Sequence, residues 1–210
     1  MFSFLFKKKP ENTYIRHSDK TWEKKIHKYE ALCELLEQEV YPIIVAFFPK
    51  TIQEVKNVLE KRGLAFTHLE SLQEDLHDEK AILLLSADLL AHPNITKVLG
   101  AISKNLTFHF AEHYPKWSVE YNCLFQLNNF KEKPVVQFYN ALEEPFFIKF
   151  GGERIAELLT KFGLTEKECI SHTMIDNSIK NGQQKLDKKV EIEVKASSAE
   201  DWFNKNIHPF

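Results

Sequence analysis

Apolar residues follow two rhythms along this chain, one of steps of three and four and one of unbroken runs. Trp22, Ile26, Tyr29, Cys33 and Leu36 keep the first rhythm and predict a helix that Ser18-Asp19 would cap. Pro42 then opens Ile43-Ile44-Val45-Ala46-Phe47-Phe48, a continuous apolar run of the kind that forms a strand buried on both faces. Thr51 and Glu54 have capping-box spacing before a helix carrying Ile52, Val55 and Leu59, which should stop at Gly63. Further strands are expected over residues 64–69, 81–86 and 106–110, with a helix over 94–105. Trp117, Tyr121, Leu124 and Phe125 share a face of another helix, and residues 135–139 make a fifth strand. Strands that alternate with helices in this way imply a parallel sheet covered on both sides.

The rhythm changes after residue 150, where the pattern is helical throughout. Ile155, Leu158, Leu159 and Phe162 form one stripe, and Thr165 with Glu168 has the spacing of a second capping box. Ile175, Ile179, Gly182, Leu186 and Val190 line one face of a further helix, with Lys180, Lys185, Asp187, Lys188 and Lys189 mostly off it. Trp202-Phe203 adds two large apolar groups that also need burial. Two occupants suit this stripe: residues 199–210 folding back over it, or a protein partner, including a second copy. On the second reading the candidate interaction residues are Ile175, Ile179, Leu186, Trp202 and Phe203. The expected organisation is an N-terminal segment (1–17), one α/β domain (18–150) and a C-terminal helical extension (151–210).

A resemblance to a known family is carried by Phe138-Tyr139-Asn140-Ala141-Leu142-Glu143-Glu144, by Phe150-Gly151-Gly152-Glu153-Arg154, by Phe162-Gly163-Leu164 and by Ile170-Ser171-His172. Together they are similar to the end of the second motor domain of SecA, the preprotein translocase ATPase. There an FYLSLED…FG..R run precedes a short helix, an LG turn, an I-x-H step and a final helix. Upstream, Lys61-Arg62-Gly63-Leu64 resembles the family's KRGI turn. The resemblance implies a RecA-like, P-loop-NTPase-type α/β fold. It also implies, as expectations, a link to protein translocation and a structural role for His172 before the last helix, where it caps or packs.

The motor chemistry that the resemblance leads one to expect is missing. Where the family reads ATNMAGRGTDI, this chain has Ala87-Asp88-Leu89-Leu90-Ala91-His92-Pro93, without glycine or arginine, and Asp88 is expected to cap a helix. Where the family reads QLRGRSGRQGDPG, residues 121–131 contain no arginine. The three arginines of the chain are Arg16, Arg62 and Arg154. A permanently charged, planar guanidinium is what stabilises a transferring phosphoryl group, and removing one costs orders of magnitude in rate. No GxxxxGK[ST] occurs either. Pro49-Lys50-Thr51 joins a strand to a helix N-terminus, the general place where backbone N–H groups receive an anion.

Composition narrows the field further. A formal net charge of -2 argues against a nucleic-acid partner. Three dispersed cysteines, Cys33, Cys123 and Cys169, suit reduced thiols in a cytoplasmic protein, with Cys123 expected in the interior. No apolar run reaches membrane-spanning length. Met1-Phe2-Ser3-Phe4-Leu5-Phe6 before Lys7-Lys8-Lys9 is either a frayed or tucked terminus or a weak peripheral contact with a membrane surface. His109-Phe110-Ala111-Glu112-His113 fits H-x-x-E-H, the inverted zinc-peptidase signature, which needs a helix to bring both histidines together. Here the alternation of residues 106–110 and the following Pro115 place His109 on a strand and Glu112 and His113 in a loop. The sequence therefore predicts no metal, no cofactor and no catalytic residue. The expected function is a non-hydrolysing, SecA motor-like interaction or scaffold module. Its alternative is a nucleotide sensor or enzyme that reuses the carboxyl ends of the strands with new residues.

Overall fold

Alternation along the strands places successive side chains in two separate cores, which is why the apolar runs are unbroken. The computed structural model describes residues 13–73, 81–103, 105–150 and 167–207, with 152, 155, 157, 161, 163 and 165 between them. The strands are β1 (Ile15–Arg16), β2 (Lys20–Trp22), β3 (Pro42–Ala46), β4 (Phe66–Leu69), β5 (Ile82–Ser86), β6 (Thr107–Phe110) and β7 (Val135–Ala141). They form one sheet in the order β1-β7-β6-β3-β5-β4, with β2 taking over beside β7 beyond β1. Every pairing between these strands is parallel, and Thr21 of β2 adds an isolated antiparallel bridge to Ile170.

Ile43, Val45, Leu83, Leu85, Phe108, Phe110, Val136 and Phe138 face one side. There they meet α3 (Ala87–Leu90), α4 (Ile95–Gly100) and α5 (Trp117–Phe125). Ile44, Ala46, Ile82, Leu84 and Tyr139 face the other side and meet α1 (Lys25–Leu36) and α2 (Pro49–Arg62). This is a RecA-like α/β architecture, with both faces of a parallel sheet covered. α2 ends at Gly63, whose φ of 69° is the left-handed conformation that closes a helix.

A third core roofs the carboxyl ends of the strands. Phe48 after β3 and Leu142 after β7 join α6 (Pro145–Phe150), α7 (Thr173–Lys189) and α8 (Ala199–Asn206). Ile175, Ile179 and Leu186 are buried under Phe146, Phe147, Trp202 and Phe203, and Trp202 is fully enclosed. Of the two occupants open to that stripe, the chain's own helix α8 covers it, so the five candidate interaction residues are interior ones. Leu158, Leu159, Phe162, Arg154 and the first twelve residues lie outside the described part.

The structure corrects several local expectations. Lys20–Trp22 is a strand, not the start of a helix, because Trp22 is drawn into register with Ala141 and stacks on Tyr139 at 6.0 Å. α1 therefore begins only at Lys25, and Ile26 is left exposed while Lys28 is buried. Thr51 and Glu54 do not form a box: α2 starts at Pro49, and each side chain bonds another element. Ser86, not Asp88, caps α3, its hydroxyl accepting from Leu89 N at 3.1 Å. The expected helix over 94–105 is reduced to Ile95–Gly100. On α5, Leu124 is buried, but Tyr121 and Phe125 stay exposed in a ring row with Trp117.

Candidate functional site

The sheet reverses its order of connection at β3. The chain leaves β3 through α2 on one face and leaves β6 through α5 on the other. Between their carboxyl ends an α/β sheet opens a crevice. A cleft of about 400 Å³ lies there, walled by Lys25, Tyr29 and Glu54, by Lys50 and Thr51, by Glu112 and His113, by residues 143–149 and by α8. Among the described residues that line it there is no arginine and no glycine, and the carboxyl groups of Glu54, Glu112, Glu143, Glu144 and Glu200 outnumber the lining lysines, Lys25, Lys50 and Lys149.

Glu112 holds the inner end. It follows β6 directly, at a point where Ala111 N donates to Val45 O. Its Oε1 accepts the N–H groups of both Phe47 and Phe48 at 3.0 Å, and its Oε2 accepts the Thr51 hydroxyl at 2.7 Å. Full burial pushes its pKa up to about 7, against the Thr51 and Phe48 hydrogen bonds, which favour the charged form. Behind it Lys28 Nζ donates to Ala111 O at 2.7 Å and pairs with Glu144. Glu144 Oε2 in turn accepts from Ala141 N at 3.1 Å. The loops after β3, β6 and β7 are thus tied to one another by buried charge.

His113 belongs to a second network on the opposite side of the sheet. Its Nδ1 meets Glu120 Oε2 and its Nε2 meets Asp19 Oδ2, both at 2.7 Å. Burial opposes a charge on the ring, but the two carboxylates outweigh it and raise the pKa to about 9. Arg16 pairs with Asp19 at 2.6 Å and lies over the Phe138 ring at 3.9 Å. Gln183 of α7 donates to Glu120 at 2.7 Å, so the network also fastens the C-terminal helices to the sheet.

His109 lies on β6 and His113 in the loop beyond it, as the sequence predicts. His109 bonds Tyr139 and Glu39, at 3.0 and 2.8 Å, whereas His113 stacks on Phe138. Phe138 and Tyr139 are neighbours on β7 and point to opposite faces, so the two histidines do not converge on one ion. Among the described residues no group of three or more His, Cys, Asp or Glu is placed to hold a metal. His172 caps α7, its Nδ1 accepting from Met174 N at 3.1 Å. Cys123 is buried and in contact with Ala87 O, and burial raises its pKa.

The burial of Glu112 and of the Asp19–His113–Glu120 trio could not be read from the sequence, where charged residues signal a surface. One trace was there: residues 28, 29, 32, 33 and 36 form a helical stripe that contains Lys28. A lysine on an apolar face asks for a buried carboxylate.

Comparison with known proteins shows what the chain is similar to. No protein-family profile matches the chain. It is 21% identical over 196 residues to the protein translocase subunit SecA of Salinibacter ruber, matching 85% of this chain and 17% of that protein. It is 26% identical over 187 residues to SecA of Bacteroides fragilis, matching 81% of this chain and 16% of that one. A shorter match to SecA of Christiangramia forsetii reaches 47% over 51 residues, 24% of this chain and 5% of that protein. The chain thus spans less than a fifth of these relatives. A crystal structure of the C-terminal part of the Fun30 ATPase domain superposes with a TM-score of 0.39 at 13% identity, covering 77% of this chain and 54% of that one. No helix among the described residues is long and apolar enough to cross a membrane. The likeness to SecA thus runs over 81–85% of the chain, on a parallel, doubly covered sheet of RecA-like fold.

Proposed function

We propose that this chain is a SecA motor-like module that does not hydrolyse ATP and works through protein contacts in the setting of protein translocation. The observation that carries the reading is the lining of the cleft: no described arginine reaches it. Arg62 sits in the last turn of α2, at the far end of that helix from the cleft. Arg16 is engaged by Asp19 and Phe138 on the other face of the sheet. A triphosphate entering the cleft would meet an excess of carboxylates and no guanidinium, the reverse of what phosphoryl transfer requires. The exposed Tyr121 and Phe125 on α5 and the exposed Ile148 and Phe150 on α6 support a role in contacts. Titration of the purified chain with ATP and magnesium, by calorimetry and by phosphate release, tests the reading. The expected result is no binding at sub-millimolar nucleotide and no turnover. Saturable binding, or turnover removed by Lys50→Ala, would refute it.

A further inference from the structure

We propose that Glu112 is an internal plug: its carboxyl group fills an anion cradle that the β3–α2 turn would otherwise present to the cleft, and so closes that position to phosphate-bearing ligands. The cradle is made by consecutive backbone N–H groups and a hydroxyl. Phe47 N and Phe48 N converge on one oxygen at 3.0 Å each, and the Thr51 hydroxyl donates to the other at 2.7 Å. Successive N–H groups ahead of a helix make a concavity that suits an oxyanion, and the first turn of α2 adds its dipole. α2 has 14 residues, long enough for that dipole to count. The acceptor is not local: Glu112 lies 61 residues beyond Thr51 in the chain and reaches the turn from another strand. The group already seated in the cradle is itself a buried carboxyl, and it opens onto a 400 Å³ space rather than packed core.

The plug lies among charged neighbours and beside a helix donor that is already taken. Lys28 and Tyr29 of α1, Lys25 at its start, Lys50 and Glu54 of α2, Glu143 and Glu144 before α6, and the adjacent His113 surround it. The next backbone donor of the helix, Lys50 N, is taken by Ser197 O at 3.0 Å. An incoming phosphate would therefore have to displace both a carboxylate and a segment of the C-terminal region.

The plug occupies the same cleft as the proposed loss of ATP chemistry, but the two fail separately. Binding of ATP by the native chain sinks the function and leaves the cradle untouched. For the plug, the native chain, Glu112→Ala and Glu112→Gln are compared at pH 8 with inorganic pyrophosphate as probe, by thermal unfolding and by calorimetry. The glutamine substitution keeps the cradle filled; the alanine substitution empties it. The expected outcome is a pyrophosphate-dependent rise in melting midpoint for Glu112→Ala alone, with affinity at least about tenfold above the other two. A Glu112→Ser variant serves the same comparison if the alanine variant does not fold. No response in the emptied variants, or an equal response in all, overturns the proposal.

Discussion

Glu112 and His113 are adjacent in the chain, titrate in different windows, and affect stability in the same direction. Glu112 has a folded-state pKa of about 7, above its ordinary 4.5, so its contribution is complete below pH 4.5 and is lost as the pH rises through 7. His113 is raised from 6.5 to about 9, so its contribution is complete below 6.5 and is lost as the pH rises through 9. Each window is worth up to roughly 3 kcal/mol. Unfolding free energy measured in urea at pH 5, 7 and 9 is expected to fall at each step. In Glu112→Gln the first fall should flatten while the second persists. An unchanged slope between pH 5 and 7 in that variant would mean that Glu112 is already ionised in the fold.

At the scale of elements, the stripe on α7 decides what a mutation there can do. Ile179 is buried against α6 and α8, so Ile179→Asp places a charge in a closed apolar core. The expected cost is about 3 kcal/mol or more, seen as a shift in denaturation midpoint, whereas an interface residue would change the solution mass and leave stability alone. Gly182 is a sharper probe, because a Cβ there would stand 2.8 Å from Phe146 Cζ. Gly182→Ala should destabilise by about 1–3 kcal/mol, and Phe146→Leu in the same chain should recover part of that. These elements also show what the sequence could reveal. The β3 and β5 runs and the Gly63 stop were legible because each is fixed by neighbours in the chain or by burial on both faces. The strand at Lys20–Trp22 was not, because Trp22, Ile26, Tyr29 and Cys33 keep helical spacing and only β7, more than 110 residues later, overrides it. Glu112, Asp19 and Glu120 were illegible as interior groups for the same reason: their partners come from other elements.

For the whole molecule, polar links join the sheet to the C-terminal helices beside the apolar contacts of Phe48 and Leu142. Gln183 bonds Glu120, Asp176 Oδ1 accepts from Asp19 N at 3.1 Å, and Lys116 Nζ donates to Val190 O at 2.9 Å. The helices that roof the cleft are thus fastened to the sheet by bonds from several elements. The placement of β7 carries a different consequence, one of timing. This strand has β6 along one edge and, along the other, β1 and then β2 in relay, so the seam is closed by residues 15–22 and 135–141. A chain emerging from the ribosome makes its first strands early and their partner late, and the intervening loop is costly to close. Nascent chains halted before Val135 should therefore be cut readily by trypsin at Arg16, Lys20 and Lys24, and chains extended beyond Ala141 should resist. Birth order and sheet order oppose each other here, since residues 15–22 wait for a partner strand made more than 110 residues later.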